Sequence, residues 1–159
     1  MKKYSIEIKW ALRFTLLTLA WSIGEKAIGL HDVHIENYGL CSLLFVFPAF
    51  LFFYLALAEK KKYFYHNSIT WQQGFICGAV ISLIIAVLNP ITQLVIYKSI
   101  SPTFFDTIIA YKVKHGMSLK TVQEVFNLKS YIIQTTLSNL SYGFVTGALV
   151  SVFIRNKKE

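Results

Sequence analysis

This sequence has little charge, and less of it is acidic than basic. Charged residues make up 15% of its 159 positions, and 8 acids face 16 lysines and arginines. Soluble domains carry about a quarter charged residues. Cysteine is nearly absent: Cys41 and Cys77 form no CxxC and fall in separate apolar runs, near opposite ends. That excludes a disulfide framework and argues against thiol redox chemistry. No P-loop, GxSxG, dinucleotide fingerprint or zinc-finger spacing is present. No serine has an evident His/Asp set beside it, so nothing supports an enzyme. His31, Asp32, His34 and Glu36 are metal-ligand types, but they do not form HExxH, and His66 and His115 are remote. They read as a solvated polar loop, with no metal and no cofactor.

What fills the chain instead is apolar: 55% of residues are hydrophobic and 16% aromatic. A run of ~18 or more apolar residues reads as a membrane span, since ~20 helical residues cover the hydrocarbon core. Backbone groups in lipid must be bonded internally, so such runs must be helical. Four are expected, at residues 9–30, 38–58, 71–100 and 131–154. The first has a basic entry like a signal peptide but lacks a convincing small-residue cleavage site, and reads as a retained anchor. Pro48 should bend the second, and Asn89-Pro90 should break the third. The 101–130 loop should be partly helical: Phe104–His115 closes at Gly116, and Ser118 can cap a second short helix through Phe126. The expected fold is an all-α membrane protein, a four-helix transmembrane bundle with this loop outside the cytoplasm.

The net charge of +8 does not point to nucleic acid, because the lysines flank apolar runs. Ten basic residues (Lys2, Lys3, Lys9, Arg13, Lys60 to Lys62, Arg155, Lys157, Lys158) fall on one side of this layout and six on the other. The positive-inside rule then puts both termini in the cytoplasm.

Lipid gives helices no hydrophobic drive to associate, so small residues mark where they meet. Gly74, Gly78, Ser82 and Ala86 recur every four residues in the third span. Asn139, Gly143, Gly147 and Ser151 do so in the fourth. The two rows can face each other, or one can serve a homodimer or another membrane protein. Counting helical rise puts Glu25, Asn89 and Asn139 at one height in the outer half of the bilayer, with Ser42 and Cys41 nearby. Gln93 and Gln134 extend this polar layer outward. Glu25 is an intramembrane carboxyl with a ligand, proton or ion role, a member of a purely structural buried layer, or the wet end of the first span. Its neighbour Lys26 either pairs with it or reaches for the surface. Asn89 can bond across the bundle or satisfy backbone freed by Pro90.

The stretches MKKYSIEIKWALRF, EKAIGLHDVHIENY, WQQGF, NPITQ and FNLKSYIIQ together resemble an uncharacterised bacterial family, domain of unknown function 4199. The resemblance spans nearly the whole chain. It implies a small bacterial inner-membrane protein and no particular activity. Three functions are compatible: a non-enzymatic membrane component or interaction protein in the lipid bilayer, a small proton- or cation-coupled transporter using Glu25, or a lipid-handling protein.

Overall fold

A computed structural model describes residues 3–156, which are helical with no strand. Lys2, Lys157 and Lys158, counted above for orientation, lie outside them. The α-helices are α1 (Ser5–Ala27), α2 (Tyr38–Leu43), α3 (Val46–Tyr63), α4 (Trp71–Val95), α5 (Phe104–Lys114), α6 (Leu119–Val125) and α7 (Leu128–Ile154).

Three segments are long and apolar enough to cross a membrane: Ile35–Tyr63, Trp71–Ile100 and Leu128–Ile154. The first helix is not among them, because Glu7, Lys9, Arg13, Glu25 and Lys26 interrupt its apolar character. Large apolar side chains stand exposed along all three segments, among them Phe47, Leu51, Leu83, Val87, Leu137 and Phe153. Such surface is far beyond what a soluble monomer presents to water.

Proline acts as expected in one span and differently in the other. Pro48 has no N–H for the Leu44 carbonyl, and the second span is interrupted there, at Leu44 and Phe45, which leaves Pro48 in the first turn of α3. Pro90 lies inside an uninterrupted α4; the irregularity comes later, in a π-helical turn at Ile96–Ile100. The break expected at Asn89-Pro90 is absent there.

Helix ends are set by local chemistry. Thr70 and Gln73 form a reciprocal capping box at the start of α4. Asn127 caps α7 by accepting from the Ser130 N–H at 2.9 Å. Gly116, at φ +88, ends the turn after α5. Ser118 stands at the start of α6 but makes no side-chain cap bond.

The longest helix pairing is α4 with α7. A methyl placed on Gly78 would lie 2.7 Å from the Gly147 Cα, and one on Gly74 would lie 2.6 Å from the Ser151 Oγ. Gly143 packs against Ser82, and Ala86 is buried one turn further on. α1 packs on α4 and α3, and α3 also meets α7. A largely apolar core of Trp10, Phe14, Phe53, Leu57, Ile81 and Val150 fills the bundle towards the end where the described chain begins and finishes. A second, aromatic cluster around Tyr97 and Phe104 seals the opposite end.

Candidate functional site

The end of α1 builds the site. The Leu30 N–H bonds the Glu25 carbonyl at 2.9 Å and the Gly29 N–H bonds the Lys26 carbonyl at 3.0 Å. This is a Schellman closure, and Gly29 supplies its left-handed residue at φ +80. The chain therefore turns back on itself, and His31 folds over the last turn of its own helix.

Glu25 is buried, at 8% exposure. Its Oε1 accepts from the Trp21 indole at 2.9 Å and from the Ser42 hydroxyl at 2.6 Å. Its Oε2 has only a long contact, 3.4 Å, to His31 Nε2. The other ring nitrogen of His31 lies 2.5 Å from the Ser101 hydroxyl, at the end of the π-helical turn. Four stretches of chain thus meet around one carboxyl group. Beside it, Tyr38 bonds Tyr131 at 2.9 Å and approaches Tyr97 at 3.5 Å.

These groups border a cavity of about 190 Å3, lined among others by Ser22, Glu25, Ser42, Gln93, Tyr131 and Asn139. Two buried oxygens on its wall have no protein partner: Ser22 Oγ and Gln93 Oε1. Buried polar groups without partners are costly and rare. Deeper, Asn89 Oδ1 accepts from Gln93 and Asn139, each at 3.0 Å, while its amide donates to Thr135 at 2.8 Å and Thr136 at 2.9 Å. Asn89 therefore ties α4 to α7 rather than serving backbone freed by Pro90.

Gln134 is exposed and reaches only the Val125 carbonyl, at 3.4 Å. Lys26 pairs with Asp32 at 2.6 Å and not with Glu25. The Lys26 hydrogen bond, followed by the Val33 N–H, holds the Asp32 carboxyl below its usual range. The polar-loop reading fails at His31, which is 1% exposed; His34 and Glu36 do stand in the open. Trp21, Ser101 and the tyrosine group were not marked as site residues by sequence, and His31 was marked only as part of the polar loop. Among the described residues no three His, Cys, Asp or Glu side chains gather as metal ligands.

Ser101, His31 and Glu25 follow the order of a nucleophile, a base and an orienting acid, a set the sequence did not reveal. Ser101 is 0% exposed and does not border the cavity. A nucleophile that no substrate can reach does not attack one, so the geometry supports a buried linkage rather than acyl transfer.

The family model described as "Protein of unknown function (DUF4199)" matches residues 9–156. The chain belongs to this family. Neither the curated proteins nor the solved structures include a match to it. For this DUF4199 chain the argument about activity rests on the Glu25 cavity.

Proposed function

We propose that this is a bacterial inner-membrane protein with four crossings and both termini in the cytoplasm, acting as a small proton- or cation-coupled transporter through Glu25. α1 supplies the fourth crossing. Its 23 residues span ~34 Å at helical rise, and its acids turn inward. Glu7 pairs with buried Lys60 at 2.8 Å, and Glu25 is held by Trp21 and Ser42. Residues 14–24 between them carry no charge.

One observation supports transport most: a buried carboxyl faces a cavity whose other unpartnered groups are oxygens. Intramembrane carboxyls are costly and serve ion and proton pathways. No lysine or arginine borders the cavity, so it suits a positive ligand. His31 contacts Glu25, and the titratable groups that share its cavity are the tyrosines 38, 97 and 131. A partner protein would have to dock away from the small-residue rows, which α4 and α7 use on each other.

The test uses purified protein in liposomes with a pH-sensitive dye inside. External guanidinium, permanently charged and rich in N–H donors, should raise internal pH as it exchanges for protons. Glu25→Gln should abolish that rise. An equal response from the variant removes Glu25 from the mechanism.

A further inference from the structure

A second cavity of about 240 Å3 adjoins the first, and it is apolar. Phe14, Leu43, Val46, Phe53 and Ile85 form much of its wall. Ser42, Phe45 and Asn139 belong to both linings. The two spaces therefore adjoin at these residues, one carrying a carboxyl group and the other greasy. Phe45 stands at the junction, its ring 5.4 Å from that of Trp21 and 5.6 Å from that of Phe14.

The spare hydrogen-bonding capacity is mostly for accepting. Glu25 Oε2 has only its long contact to His31, and Gln93 Oε1 accepts nothing. Both want a donor. Ser22 Oγ, also unpartnered, can accept as well. Gln93 is 5% exposed and Ser22 4%, so neither is satisfied by bulk water. Aromatic faces beside a carboxylate add attraction for a cation. An anion would meet the Glu25 carboxylate there, with no lysine or arginine on either wall to offset it.

We infer that the ligand is an amphipathic organic cation: a nitrogen head with N–H donors on Glu25, Gln93 and Ser22, and an apolar body in the Phe14–Phe53 cavity. This rests on the reading of Glu25 as a cation site and adds to it the ligand's second half. The head fixes position by charge-assisted hydrogen bonds. The body contributes affinity by leaving water, roughly in proportion to its buried area.

The experiment measures binding of guanidinium and of benzylguanidinium to the full chain in phosphatidylcholine nanodiscs, with empty discs subtracted. Wild type should bind benzylguanidinium about tenfold or more tightly than guanidinium, the size expected for one buried ring. Ala49→Phe, which fills the apolar cavity, should cancel that advantage and leave guanidinium binding unchanged. If it does not fold, Thr146→Leu, on the same wall, takes its place. Glu25→Gln should weaken both ligands. Guanidinium binding without any benzyl advantage overturns the amphipathic ligand and leaves the cation site standing. Failure of both probes to bind overturns both. If phosphatidylethanolamine added to the discs displaces benzylguanidinium, the ammonium head and acyl body belong to a bilayer lipid, and a free organic cation as the ligand is overturned.

Discussion

His31 joins three separate stretches of chain through its two ring nitrogens, with Ser101 on one and Glu25 on the other. Phe104 and Tyr38 pack their rings on it at 5.3 and 5.5 Å. His31→Ala removes a partner from two buried groups and opens a gap among aromatic rings. It should cost about 1–3 kcal/mol for the unpaired groups, read as a lower midpoint in detergent-induced unfolding. An unchanged midpoint would mean that water replaces the imidazole without loss. Glu25 could be picked out from sequence because a charge inside an apolar run is expensive and therefore rare. Helical rise also brings Ser42 to its height, but the link through His31 to Ser101 is hidden: Ser101 lies 76 positions from Glu25, and no periodicity marks it. His31 was misread because Asp32, His34 and Glu36 around it are typical of a wet loop. The reversal after Gly29 is what carries it inside.

At the scale of elements, four-residue spacing of small side chains is a strong statement, since it lays a flat strip along one helix face. The strips on α4 and α7 meet with almost no side chain between them at Gly78 and Gly147. Gly78→Ala must push the helices apart or bend them, because its methyl would meet backbone rather than a movable side-chain end. A loss of about 1–3 kcal/mol is expected. Gly24→Ala is the matched control, with open space around the added methyl, and should gain up to about 1 kcal/mol from helix propensity. Both are read from the same unfolding curves. Equal effects would show that close approach is not what holds the pair together. The irregular turns were less legible. Proline predicts a missing hydrogen bond, but neighbours decide where the helix yields, and in α4 the yielding point is Ile96–Ile100 rather than Pro90.

For the molecule as a whole, the two ends of the bundle differ in kind. One gathers Glu7 with Lys60 and Glu59 with Lys9 and Trp10, and Lys61 caps the Ile154 carbonyl at 2.8 Å. Lys60 also donates to the Lys3 carbonyl, so the described beginning and end of the chain lie together. The other end holds Glu25 under its aromatic seal. Composition reveals three apolar helices and leaves out α1, because Glu7, Lys9, Arg13, Glu25 and Lys26 make it too polar when read by itself; the fourth crossing belongs to the proposal. The number of crossings is open to a direct test with single cysteines in a Cys41→Ser, Cys77→Ser background. In the proposed orientation, Val33→Cys and Lys114→Cys should react with a membrane-impermeant maleimide in intact cells, once past the outer barrier. Lys3→Cys and Ser68→Cys should react only after lysis. All four positions are exposed, so reactivity reports sidedness rather than burial. Matching reactivity of Lys3→Cys and Val33→Cys would leave α1 on one side of the membrane and reduce the crossings to three. Glu25 would then lose the lipid surroundings that make a carboxyl there expensive, and the transport reading would fall with them.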